Sequence, residues 1–217
     1  IGVSSPAVIE ALSEGLKDAE GKVRASAALS MEKLRIRALW PADAPPEARV
    51  LAAWLLGQGG AGGRAVPALT LALKDPDPAT RSMAASSLGR LGPSAGASAG
   101  ALVGALKDED PRVRMCAAWA LSYLGPQARR HSGALASSLK DPSLDVRETA
   151  ALALGKMGDA AEPHIDELRA ALRETDPILQ ATAAWALGGL GPKASAALPE
   201  LGEALKRRQL HVRVGVL

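Results

Sequence analysis

Three histidines and one cysteine are the side chains best suited to metal binding or nucleophilic chemistry here, and their spacing supports neither. His131, His164 and His211 are widely separated along the chain. They are followed by Ser, Ile and Val, so no carboxylate stands beside any of them. A pair such as His131 and His164 lacks the three or four protein ligands of a zinc site. Cys116, the single cysteine, excludes an internal disulfide and a thiolate metal cluster, and reads as a small buried helical residue. The stretch GQGGAGG (57–63) has neither the lysine nor the preceding strand of a phosphate loop and reads as a flexible turn. No Gly-x-Ser-x-Gly elbow precedes a usable acid and base. Two periodic sets remain. Arg81, Arg114 and Arg147 each follow a carboxylate, Asp75, Asp108 or Asp141, at a constant interval. Trp54, Trp119 and Trp185 are almost evenly spaced. Guanidinium and carboxylate can pair bidentately, or the arginines can hold phosphates. Indoles in a row can fill a core or anchor a partner.

The elements that position these residues follow from composition and period. Of 217 residues 47% are hydrophobic, yet there is no Phe and only 2% are aromatic, so any core is built from Ala, Leu and Val. Ala and Leu favour helices, and β-branched and aromatic residues are too scattered for a sheet. The last basic residue of each "LK" or "LR" pair recurs at a constant interval, at Lys74, Lys107, Lys140, Arg173 and Lys206. A fixed period of about 33 residues predicts a repeat array. Each copy has two segments with helical apolar spacing, such as AVPALTLALK (65–74) and DPRVRMCAAWALSYLG (110–125). Asp77-Pro78, Asp110-Pro111 and Asp176-Pro177 supply an N-cap oxygen and a first-turn proline for the second helix. Gly92, Gly125, Gly158 and Gly191 are suited to a left-handed stop. Near 30–57 the period shortens, and PADAPP (41–46) is the connector of an irregular repeat. Residues 1–217 are expected to form one array of about six repeats plus a partial seventh from His211. Starting at Ile1 without Met and ending inside a helical pattern, the sequence is expected to be a fragment of a longer array.

The recurring pattern DPxVRxxAAxALGxLG, seen as DPRVRMCAAWALSYLG and SLDVRETAALALGKMG, resembles the HEAT-like repeats of the phycobilisome-lyase type. The resemblance implies an all-α, armadillo-like α-solenoid of antiparallel helix pairs, each packed only on its neighbours. It also implies that the arginine column (Arg24, Arg49, Arg81, Arg114, Arg147, Gln180, Arg213) forms a ladder with acids of the inter-helix turns: Asp18, Asp75, Asp108, Asp141 and Glu174. Iron-binding HEAT-like hydroxylases carry His-Glu pairs, and the residues after the three histidines break that pattern. A helical projection of 111–124 puts Val113, Ala117, Ala120, Leu121 and Leu124 on the core face, with an alanine column at Ala28, Ala53, Ala85, Ala118, Ala151 and Ala184.

Trp119 projects away from that face, toward the concave surface. Its column reads Leu29, Trp54, Ser86, Trp119, Leu152, Trp185, and the column one helical turn on reads Lys33, Gln58, Arg90, Tyr123, Lys156, Gly189. Tryptophan there either packs on a neighbouring repeat or anchors a partner, and its direction favours the anchor. The expected binding set is Trp54, Trp119, Trp185, Tyr123, Arg90 and Lys156, with the two cations meeting acidic groups of an extended or helical protein segment. A non-catalytic interaction scaffold, a subunit of a larger complex without cofactor or metal, is the leading expectation. A bilin lyase-like chaperone holding a tetrapyrrole and its acceptor is the alternative that the resemblance implies. Nucleic-acid binding is disfavoured because the concave columns mix Ala, Ser, Glu, Trp and Lys rather than forming a basic stripe. Net charge is only +3, and no apolar run reaches the roughly 18 residues of a membrane span, so a soluble, intracellular protein is expected.

Overall fold

A computed structural model describes residues 46–58 and 62–206, with the isolated helical positions Ala11 and Glu14. Asp18, Arg24, Ala28, the 30–45 connector and the helix expected at His211 lie outside the described residues. Among the described residues every regular element is helical. The second helices of successive repeats are α1 (Pro46–Leu56), α3 (Pro78–Leu91), α5 (Pro111–Tyr123), α8 (Leu144–Met157) and α10 (Pro177–Gly188). The first helices are shorter: α2 (Val66–Ala72), α4 (Ala99–Ala105), α7 (Ser132–Ser138), α9 (Ile165–Leu172) and α11 (Leu198–Lys206), with a single turn, α6 (Pro126–Arg129), ahead of α7. Second helices pack side by side in chain order, and first helices cover their other flank. The fold is an all-α solenoid.

Local chemistry sets the helix limits. The carboxylates of Asp77, Asp110 and Asp176 accept from first-turn amides, Asp77 from Thr80 and Asp110 from Arg112, while Asp176 takes both Ile178 and Leu179. At the other end Gly92, Gly125 and Gly158 take φ of 58°, 73° and 59° with ψ near −137°, −146° and −130°. This is not the left-handed helical region the sequence suggests. It is a more extended positive-φ conformation that essentially only glycine adopts, and it turns the chain sharply into the next repeat.

Small residues fix the stacking distance. Ala53, Ala85, Ala118, Ala151 and Ala184 are all fully buried between second helices. Leu88, Leu121, Leu154 and Leu187 meet Leu69, Leu102, Leu135 and Leu168 of the first helices in one continuous aliphatic core. An Ala-lined contact lets helix axes approach toward the lower end of the usual range of about 8–10 Å.

A row of ion pairs ties the turns together. Arg81 donates from Nε and Nη2 to Asp108 at 2.8 Å each, and Arg114 does the same to Asp141 at 2.7 and 2.8 Å. Arg49 reaches Asp75 at 2.9 Å and Arg147 reaches Glu174 at 3.2 Å. Every acid therefore belongs to the repeat after its arginine. The remaining guanidinium nitrogen, Nη1, turns back to the arginine's own turn: Arg81 to the carbonyls of Asp75 and Pro76, Arg114 to those of Asp108 and Glu109. Each turn aspartate also accepts an amide two residues on, from Asp77, Asp110 or Ser143. Gln180 takes the arginine's place in the next repeat, donating to the Glu174 carbonyl. In the sequence, Gln180 is accompanied by Arg207 at the turn position that holds an acid in the four preceding repeats.

Two outcomes test this frame. Ala118 is fully buried, so Ala118→Leu is expected to overpack one inter-helix contact and cost about 1–3 kcal/mol in chemical denaturation; an unchanged midpoint would contradict the packing. Burial opposes ionisation of Asp141, but bonds from Arg114 and the Ser143 amide outweigh it and hold the carboxyl below its usual range. Glu200, bonded by Arg169 and Arg173, is lowered from 4.5 to about 2. Depressed folded-state values mean stabilisation that is complete above the ordinary carboxylate range and lost as pH falls through the folded values. Melting temperature should therefore decline on acidification from about 4.5 toward about 2, and Arg114→Ala should flatten that decline.

Candidate functional site

The second helices carry the tryptophan column and the column one turn beyond it, and i,i+4 spacing stacks these residues on one face. Trp119 and Tyr123 of α5 meet with ring centroids 4.6 Å apart, tilted by 45°. Lys156 of α8 sits over the Tyr123 ring, its ammonium 3.8 Å from the centroid, and donates to the Tyr123 hydroxyl. Just past the end of α1, Gln58 plays the bridging part. With its amide turned to satisfy both donors, its oxygen accepts from Trp54 Nε1 at 3.1 Å and from Arg90 Nη1 of α3 at 3.2 Å. The six expected residues thus fall into two like sets and one open one: Trp54 with Arg90, Trp119 with Tyr123 and Lys156, and Trp185, which has Gly189 one turn on. Arg90 and Lys156 meet no carboxylate among the described residues. Both bond instead to the polar atom of the bridging residue.

The tryptophans also grip the array. A β-carbon on Gly89 would lie 2.4 Å from the Trp119 ring and 2.9 Å from the Ala120 Cα; one on Gly155 would lie 2.3 Å from the Trp185 ring. Each indole is therefore seated in a notch on the preceding second helix while its other side looks outward. Trp119 and Trp54 are half-buried, and Trp185 is 44% and Tyr123 40% exposed. Packing and presentation, alternatives in the sequence, coexist in one ring. The sequence carried the signal for the notch, since Gly57, Gly89 and Gly155 share a column one repeat ahead of the residues that overlie them.

Sequence reasoning missed a second inter-repeat contact. Ser132 Oγ lies 3.1 Å from His164 Nε2, and His164 Nδ1 lies 4.0 Å from Glu167 Oε1. The order Ser, His, Glu is that of a nucleophile, base and orienting acid. Ser132 is buried, however, and the 4.0 Å separation exceeds a hydrogen bond, so the row works as a pin between repeats. His131 accepts from its neighbour Arg130 and takes no part. Cys116 is only partly buried, and that burial pushes its thiol up, which disfavours the thiolate. Among the described residues no three His, Cys, Asp or Glu side chains gather as a metal set, and no helix is long and apolar enough to cross a membrane.

Comparison with known proteins agrees with this architecture. HEAT repeats match residues 36–99, 100–128 and 133–161, and PBS lyase HEAT-like repeats match 179–207. No curated protein matches the chain. Among solved structures, an engineered protein is similar at 20% identity over 96% of this chain and 93% of its own, with a TM-score of 0.59. YibA of Escherichia coli is similar at 20% identity over 95% and 90%, TM-score 0.58. The complex of CpcE and CpcF of phycocyanin lyase from Nostoc sp. PCC7120 is similar at 23% identity over 96% and 93%, TM-score 0.50. At these identities the likeness is one of fold.

The Trp119 seat yields a direct test. Gly89→Ser should cost about 1–3 kcal/mol by driving a side chain into the indole. Adding Trp119→Leu should recover much of it, because Ser122 and Leu152 occupy the same two columns one repeat on. A coupling of about 0.5–3 kcal/mol in the double-mutant cycle is expected, and additive effects would disprove the seat.

Proposed function

Because the chain belongs to the HEAT-like repeat family, we propose that it is a non-catalytic scaffold that takes a protein segment along the exposed face of its second helices. The observation that carries this reading is the row of outward-facing rings, Trp185 44% and Tyr123 40% exposed, bordered by cations without carboxylate partners among the described residues. Large apolar side chains shown to water in a row, with positive charge beside them, suit a segment of apolar anchors and acidic residues. The rings are already held by Gly89, Gly155, Gln58 and Tyr123, so little ordering remains to oppose binding. Second helices about 8–10 Å apart place tryptophans two repeats apart at about 16–20 Å along the face, within reach of one extended or helical segment. The turn arginines and their acids are engaged with one another in the ladder, which supports recognition on the aromatic face instead.

A lyase-like role is the second reading, favoured by the match of PBS lyase HEAT-like repeats over 179–207, the repeat that holds Trp185. There the same face would hold a tetrapyrrole and its acceptor. Visible absorbance of the chain purified from native material separates the two readings, since a bound bilin is coloured and a peptide partner is not.

Partners recovered by co-purification with the tagged chain and identified by mass spectrometry provide the binding test. Arg90→Glu with Lys156→Glu should reverse the charge at the edge and weaken the complex by tenfold or more. Trp54→Ala should weaken it by a similar factor, since truncating an aromatic anchor typically costs about 2 kcal/mol or more. Cross-links that map to the first helices instead, with affinity untouched by these substitutions, would refute the scaffold face.

A further inference from the structure

We propose that Trp185 and Gly189 form an open aromatic seat, into which an acidic partner segment delivers an aromatic side chain. The inference rests on the scaffold reading above and specifies the partner's chemistry at one point. Within the chain itself, Trp119 shows what an indole in this column receives. Tyr123, one turn on, lies against it at 4.6 Å between centroids and is itself capped by the Lys156 ammonium. Trp54 has Gln58 in the same place, bonded to its indole N–H. Trp185 has Gly189, and its ring is 44% exposed.

Nothing in the backbone requires glycine at 189. Its φ of −64° and ψ of −19° are helical, a conformation open to every residue. A β-carbon there would meet only the carbonyl oxygens of Ala186 and Trp185, at 3.5 and 3.7 Å, which is ordinary contact. The missing side chain therefore answers no need of turn or packing, in contrast to Gly155, whose notch holds the far edge of the same indole. One edge of Trp185 is locked, and among the described residues no ring stacks on its exposed side, which is a preorganised stacking surface. Aromatic pairs prefer tilted or offset contact at about 4.5–7 Å, the geometry already realised by Trp119 and Tyr123. Charge selects the rest of the segment. Arg90 and Lys156 are exposed, sit in the same column as Gly189, and face no carboxylate among the described residues, so acidic side chains flanking the ring would be drawn to that edge.

The test uses the full chain and a phage-displayed library of random dodecapeptides, followed by anisotropy titration of the enriched peptides. Enriched sequences should combine Tyr, Trp or Phe with Asp or Glu. Their affinity should fall by tenfold or more in Trp185→Ala, and equally in Gly189→Tyr, which fills the seat from within. Circular dichroism melting controls for folding, and Trp185→Leu, which keeps an apolar side chain without the ring, should lose binding to the same extent. Peptides that lose affinity with Arg90→Glu and Lys156→Glu but bind Gly189→Tyr normally would overturn the seat and leave the scaffold face standing. Absence of any enriched peptide, or peptides indifferent to all of these substitutions, would overturn both. Self-association of the chain in sedimentation, abolished by Trp185→Ala, would make a second copy the occupant and overturn the partner assignment.

Discussion

The contact on which the rest of the array depends is the guanidinium of one repeat held between two turns. Its Nη1 ties down the carbonyls of its own turn, and its other face grips the carboxylate of the next turn, as Arg81 does with Asp108 and Arg114 with Asp141. Arginine suits this position because its planar fork offers both directions at once, and lysine, a point charge, does not. The side chains on both sides of these pairs are largely buried. A charge left unpaired there would be costly, so every rung holds two repeats in one rotational relation. That relation places the alanine column at contact and lines up the second helices, and all surface geometry follows from it.

The outward face is built by the same stacking. An indole on one second helix needs a glycine on the preceding one, and the pairs Trp119 with Gly89 and Trp185 with Gly155 meet that need. Where the column is Ser86, Ser87 beside it lies over Gly57 and donates to the Ala53 carbonyl. Stability and the proposed recognition therefore draw on the same residues: the half of the ring inside the notch fixes orientation, and the half outside is the part the proposed scaffold offers to its partner. A ring so held has little rotamer freedom left to lose, which is what makes a rigid aromatic a strong anchor. The alternation of large and small side chains gives the face a period of two repeats on a fold whose period is one.

Asp75, Asp108 and Asp141 are committed to the ladder, Asp77, Asp110 and Asp176 to helix caps, and Glu200 to Arg169 and Arg173. The Ser132 and His164 contact links repeats on the first-helix side. At the C-terminal ends of the second helices, by contrast, Arg90 and Lys156 bond only to neutral groups. These two cations give the aromatic row a basic border.

The sequence by itself determined the helical class, the repeat period, the caps at Asp77, Asp110 and Asp176 and the core columns, because each of these is a local pattern written within one helix or turn. It also pointed to the arginine and acid columns and to the outward tryptophans. It did not determine which acid each arginine meets, since Asp75 and Asp108 are both within reach of the column and only the rise and rotation between repeats bring Asp108 to Arg81. The helix-stop glycines were legible as positive φ, but their extended ψ follows from the path into the next repeat. The direction of Trp119 on its own helix favoured an anchor and could not show that the ring also packs, because that answer lies in Gly89 on the preceding second helix. The meeting of Ser132 with His164 and of Tyr123 with Lys156 was likewise decided by tertiary structure. Periodicity along one helix records which way a side chain points, and only the distance and rotation between neighbouring helices settle what it touches.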